Sequence, residues 1–90
     1  MVTKIELEDR FEYLNEKGQY HREDGPAREF INGTKEWWIN GKYHREDGPA
    51  VEWYDGYKEW FLNDKWYSNE QQWQQEVINI KLERLKNYVN

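Results

Sequence analysis

The chain repeats itself at a period of 23. Residues 20–42 read YHREDGPAREFINGTKEWWINGK, residues 43–65 read YHREDGPAVEWYDGYKEWFLNDK, and 15 of the 23 aligned positions are identical. Such a repeat commits the chain to one supersecondary unit used twice, each copy stacked on its neighbour, with irregular units closing the ends. Upstream, Arg10-Phe11-Glu12-Tyr13-Leu14-Asn15 echoes Lys35-Glu36-Trp37-Trp38-Ile39-Asn40; downstream, Trp66-Tyr67 opens a further unit and stops. One domain is expected over residues 1–90: a degenerate cap at 1–19, repeats at 20–42 and 43–65, and a second cap with a helix at 66–90.

Each unit is punctuated as a β-hairpin. Asn32-Gly33 and Asp55-Gly56 tolerate the positive φ of a two-residue type I′ turn, and aromatic and β-branched residues flank both pairs. Strands are therefore expected at about 27–31, 35–39, 50–54 and 58–62, with further turns at Asn40-Gly41 and Asn63-Asp64. Asp24-Gly25-Pro26 and Asp47-Gly48-Pro49 read as tight turns feeding the next strand. A two-residue loop puts Arg28, Phe30, Lys35, Trp37 and Ile39 on one face, with Val51, Trp53, Lys58, Trp60 and Leu62 matching them in repeat two. That face is the more apolar and is expected to be the core side, with the stems of Lys35 and Lys58 covering Phe30 and Trp53.

The C-terminal segment supplies a lid. Ser68-Asn69-Glu70-Gln71 reads as a capping box opening a helix over about 69–88. Trp73, Val77, Ile80 and Tyr88 form one stripe; Ile78, Leu82, Leu85 and Val89 form another. An apolar arc of about 200° exceeds the roughly 100° that docks on one sheet. The second stripe is therefore expected to mediate self-association. The fold class is α+β: an antiparallel β-meander of about 5–6 strands built from 23-residue hairpin repeats, with one C-terminal helix.

Composition narrows the function. Leu, Ile, Val and Phe together are 17 of 90 residues, low enough to suggest disorder, but six Trp and seven Tyr supply an aromatic core instead. The longest apolar run, Trp37-Trp38-Ile39, is too short for a membrane span or a signal-peptide core. With no cysteine there is no disulfide, thiol nucleophile or thiolate metal site. A net charge of −5 with both signs interspersed argues against a phosphate-backbone binder and against a continuous acidic surface mimicking DNA.

Two readings of the duplicated H-R-E-D-G-P-A string stand. His21, Arg22, Glu23 and Asp24 with His44, Arg45, Glu46 and Asp47 form a regular polar ridge for a ligand, or they bind neighbouring loop groups and hold one repeat against the next. Rooted about 10 Å apart, two strands along the sheet, His21 and His44 do not converge on a metal ion. The sole serine, Ser68, reads as a helix cap, and no nucleophile stands beside a base, so neither a catalytic site nor a cofactor is expected. Trp38, Tyr54, Tyr57 and Phe61 fall on or near the face assigned to solvent; exposed aromatics on a rigid sheet are typical partner anchors, and packing under a helix or in a homodimer is the alternative. The partner-binding candidates are thus Trp38, Tyr54, Tyr57, Phe61, His21, Arg22, His44 and Arg45, and the self-association candidates Ile78, Leu82, Leu85 and Val89.

The string Y-H-R-E-D-G-P-A followed by x-E-[FW]-x-[ND]-G-x-K-E-W resembles the variant repeats of the MORN family, of the kind found in small proteins of bacteriophages and large DNA viruses and, in related form, in bacterial antitoxins. The likeness covers residues 20–65 closely and about 10–19 loosely, without the G-x-G step of ordinary MORN units. It implies a single antiparallel sheet and a binding role, and brings no chemistry to particular residues. The expectation is a non-catalytic protein-binding module in the host cytoplasm, a phage-encoded inhibitor of a host or anti-phage defence protein. An antitoxin that sequesters a toxin and a virion-associated structural protein are the alternatives. Its partner is a protein, not nucleic acid or membrane, and it is expected to form a homo-oligomer, with a dimer favoured.

Overall fold

Two kinds of turn set the register of the sheet. At Asn40-Gly41 (φ 49° and 78°) and Asn63-Asp64 (φ 49° and 68°) both central residues are left-handed, which type I′ requires. Across these turns Ile39 faces Lys42 and Leu62 faces Lys65. At Asn32-Gly33 and Asp55-Gly56 only the glycine is left-handed, with φ of 96° and 91°. There the Gly33 N–H donates to the Phe30 carbonyl at 2.9 Å and the Phe30 N–H to the Thr34 carbonyl at 2.9 Å; Gly56, Trp53 and Tyr57 repeat the pattern at 2.9 and 2.8 Å. These are three-residue loops, a type I turn closed by a glycine bulge. The two-residue turns expected there are corrected by one position, and that slip turns one strand of each hairpin over relative to the other.

The computed structural model describes residues 1–89, Val89 through its backbone alone. Its elements are β1 (Thr3–Glu6), β2 (Arg10–Leu14), β3 (Arg28–Phe30), β4 (Lys35–Glu36), β5 (Trp38–Ile39), β6 (Lys42–Tyr43), β7 (Val51–Glu52), β8 (Lys58–Leu62), β9 (Lys65–Tyr67) and α1 (Glu70–Val89). Seven strands form an antiparallel sheet in the order β1-β2-β3-β4-β7-β8-β9, and β5 pairs with β6 in a separate ribbon. The architecture is the expected α+β meander with one C-terminal helix. Its strands are shorter and more numerous than expected because Trp37 interrupts the second strand of repeat one, splitting it into β4 and β5, whereas β8 runs unbroken in repeat two.

Cross-strand partners define the faces. Arg28, Glu36, Val51 and Glu59 share one; Glu29, Lys35, Glu52 and Lys58 share the other. Along β8 and β9, Trp60, Leu62 and Tyr67 follow Lys58, while Phe61 and Trp66 follow Glu59. The helix docks on the Lys58 face, where Trp73 and Val77 are buried with Leu62 and Tyr67, and Trp60 and Ile80 pack around them. The Trp60 and Trp73 rings lie 4.6 Å apart. Burying a side chain of this kind stabilises by roughly 2–3 kcal/mol. The expected core face is therefore half corrected: Trp60 and Leu62 lie under the helix, but Val51 and Trp53 stand on the opposite side, and Lys58 partners Glu52 rather than covering Trp53.

The helix begins one residue later than expected. Asn69 is the cap, its Oδ1 accepting from the Gln72 N–H at 2.9 Å, and the Ser68 hydroxyl donates to Gln72 instead. Only the first half of the helix is docked; Tyr88, expected in the docked stripe, is exposed. The upstream echo also shifts by one. Tyr13 and Trp37 each donate their N–H to a buried alanine carbonyl, Ala27 and Ala50, and each accept from a histidine N–H, so Tyr13 matches Trp37 and Glu12 matches Glu36. Among the described residues no helix is long and apolar enough to cross a membrane.

Candidate functional site

The duplicated loops are stitched internally in the same way twice. The Nδ1 atoms of His21 and His44 accept from the Asn40 and Asn63 N–H groups at 2.9 and 3.0 Å, which places each ring proton on Nε2. Arg22 donates from Nε to Asp24 at 2.9 Å and from Nη1 to the Pro26 carbonyl at 3.2 Å; Arg45 does the same to Asp47 and Pro49 at 2.8 and 3.0 Å. Their guanidinium carbons sit 4.2 Å over the Tyr13 ring and 3.8 Å over the Trp37 ring. The Arg22 hydrogen bond holds the Asp24 carboxyl below its usual range. A Cβ on Gly25 or Gly48 would stand 2.9 or 2.6 Å from the guanidinium carbon, so an added methyl would push the guanidinium from its place. Of the two readings of H-R-E-D-G-P-A, this geometry supports the one in which the string holds the repeats together.

Arg84 reaches these loops from the helix, donating two hydrogen bonds of 2.6 Å to Glu46, which His44 Nε2 also approaches at 2.7 Å. The Arg84 contact, with His44 assisting against partial burial, holds the Glu46 carboxyl down at about 2. A groove of about 760 Å³ runs between the loops and the helix over Trp37. Its three arginines are each paired with a carboxylate, Arg22 with Asp24, Arg45 with Asp47 and Arg84 with Glu46, and Glu23 and Lys81 complete its charged lining. Among the described residues no group of three or more acidic or histidine side chains could hold a metal ion.

The face away from the helix carries a row of rings: Tyr20 to Trp38 at 5.2 Å, Trp38 to Tyr43 at 3.9 Å and Tyr43 to Phe61 at 4.8 Å. Two glutamates, each only 7 % exposed, lie beneath it. Glu12 accepts from Arg10 at 2.8 Å and Arg28 at 3.2 Å; Glu36 accepts from Arg28 at 3.1 Å and the Trp38 indole at 3.0 Å. Buried charges persist when paired this fully, and removing one partner would strand the other. Burial, with Glu36 adding to it, pushes the Tyr43 hydroxyl up to about 12. Trp38 and Phe61, expected near solvent, are thus half-buried members of this row.

The row ends at repeat two in uncovered aromatic surface. Trp53, Tyr54, Tyr57 and Trp66 are 40, 67, 59 and 54 % exposed, whereas Thr34, which matches Tyr57, is 4 % exposed because repeat two lies over it and the Tyr54 N–H donates to its hydroxyl at 3.1 Å. Tyr54 and Tyr57 were expected here. Trp53 and Trp66 were not: the two-residue turn had placed Trp53 in the core, and the glycine bulge that overturns that placement leaves little mark in sequence. On the helix, Ile78, Leu82 and Leu85 are exposed, and the side chain of Val89 lies outside the described residues. No protein-family model, curated protein or solved structure matches this chain. The MORN-like reading therefore rests on the repeat's own residues.

Proposed function

We propose that this chain is a non-catalytic protein-binding module whose contact surface is the aromatic end of its second repeat. The observation that carries this is the contrast between matched positions. Phe30, Thr34 and Tyr43 are covered wholly or in part, while their counterparts Trp53, Tyr57 and Trp66 are exposed. Large aromatics held on a hydrogen-bonded sheet lose little conformational freedom on binding, which is why such residues dominate interface hot spots. Within that class, the resemblance of the repeat to those of phage small proteins supports a phage-encoded inhibitor acting in the host cytoplasm on a host or defence protein.

The test is affinity capture from the native host with the wild-type chain and with a Trp53→Ser/Trp66→Ser variant, alongside thermal unfolding of both. A single protein should be captured by the wild type and reduced at least about tenfold with the variant, while both chains melt alike. Recovery of a toxin or of a virion component would redirect the reading to an antitoxin or a structural protein. Capture that survives the double substitution would remove the aromatic end as the contact surface.

A further inference from the structure

In repeat one, the slot beside β4 is filled by the chain itself. After β6 the backbone leaves the sheet through residues 44–50 and returns as β7, pairing Glu52 with Lys35 and Val51 with Glu36. The Trp37 N–H donates to the Ala50 carbonyl at 2.7 Å, so by alternation the N–H and C=O of Lys35 point into the same slot. Repeat two begins β8 with the matching Lys-Glu pair but, among the described residues, has no strand returning beside it. Lys58 and Glu59 pair with β7 on one side, and on the other side β9 covers only Trp60–Leu62. Beyond Tyr67 the chain bends away into α1, which docks over Trp60 and Leu62 and leaves Lys58 exposed. Among the described residues, the backbone groups of Lys58 therefore face an unoccupied flank that lies beyond the end of β9, beside Tyr57 and on the side of β8 away from Trp53.

Building on the protein-binding reading, we propose that this flank of β8 takes an extended segment of the partner protein as an added antiparallel strand. The internal repeat specifies the segment's chemistry: an acidic side chain opposite Lys58, as Glu52 stands opposite Lys35, and a β-branched apolar one opposite Glu59, as Val51 stands opposite Glu36. An aromatic one residue beyond the acidic position, matching Trp53, falls on the aromatic side of the sheet. Main-chain hydrogen bonds supply the affinity and the alternating side chains the selectivity.

The chain's own docking strand is the probe. A peptide of residues 47–55, DGPAVEWYD, is titrated into the isotope-labelled protein. Saturable shifts are expected at the Lys58 and Glu59 amides and the Trp66 indole, with exchange of the Lys58 N–H slowed about tenfold or more. A second arm uses the absence of cysteine from the chain. Glu59→Cys should form a disulfide with a peptide carrying cysteine in place of Val51 at least about tenfold faster than with one carrying it in place of Glu52, because a non-hydrogen-bonded antiparallel pair brings its side chains closest. Equal trapping rates, or shifts confined to the other sheet edge at Thr3–Glu6, would overturn strand addition. Aromatic-dependent capture of a partner alongside that failure would leave the binding module standing with a different docking mode. Peptide binding without such capture would keep the slot and remove the proposed function.

Discussion

Repeat one and repeat two share 15 of 23 residues yet occupy opposite situations. The first is enclosed: β2 flanks its β3 on one side, β7 flanks its β4 on the other, and Arg45 and Tyr54 of the second repeat lie against its Trp37 and Thr34. The second is braced on one face by the helix and left open, among the described residues, beside the Lys58 end of β8. Matched Lys-Glu-Trp segments thus differ in what stands beside them, and the difference arises after β9, where α1 (Glu70–Val89) forms in place of the strand that a third unit would have returned. In a stacked array each unit gains most from its neighbour, so the last unit must be capped or used. Here the cap covers one face and the uncovered remainder is aromatic.

The contrast can be broken most severely at the brace. Trp73→Ala should cost about 3–5 kcal/mol in denaturant unfolding, as large-to-small changes in a packed core do. Amide exchange should then accelerate in β8 and β9 while β2 and β3 keep their protection; uniform acceleration would mean the helix supports both repeats alike. A smaller effect separates the two loops. Gly48→Ala should destabilise by about 1–3 kcal/mol and Gly25→Ala by less. The added methyl displaces a guanidinium in both cases, but Arg45 also loses its 2.8 Å bond to Glu52. Equal losses in urea titrations would show that the second loop is no more tightly tied than the first.

The smallest effect concerns the clasp of helix to loop. The Glu46 carboxyl is lowered from 4.5 to about 2, chiefly by Arg84. A lowered folded-state value means its stabilisation is complete above about pH 4.5 and disappears as the pH falls toward about 2. Since Arg84 is largely exposed, Arg84→Ala should cost about 1 kcal/mol at pH 7, and wild type and variant should converge in melting temperature near pH 2. A gap that persists there would assign the loss to packing instead.

The repeat, the hairpins, the helix and the α+β class were legible because a period of 23 and the pairing of turn residues with aromatic runs leave strong marks in the chain. The faces were not. Asn-Gly and Asp-Gly are compatible both with a two-residue type I′ turn and with a three-residue loop closed by a glycine bulge, and the residue pair alone does not choose between them. That single residue moved Trp53 from the core to the surface and set Glu36 opposite Arg28. The charged row of Arg10, Glu12, Arg28 and Glu36 was hidden for the same reason, since Arg28 on β3 joins Glu12 on β2 to Glu36 on β4 only in the observed register. Trp38 and Phe61 were singled out as aromatic, but their stacking with Tyr20 and Tyr43 depends on the separate β5–β6 ribbon.

Site-resolved hydrogen exchange of the matched pair Lys35 and Lys58 in the free, unmodified protein tests the asymmetry directly. Lys35 donates into a filled slot and should exchange slowly, whereas the Lys58 N–H faces the empty one and should exchange about a hundredfold faster or more, close to the rate of an unprotected amide. Equal protection of the two would mean that the second slot is already occupied, and the open flank on which the binding account rests would not exist.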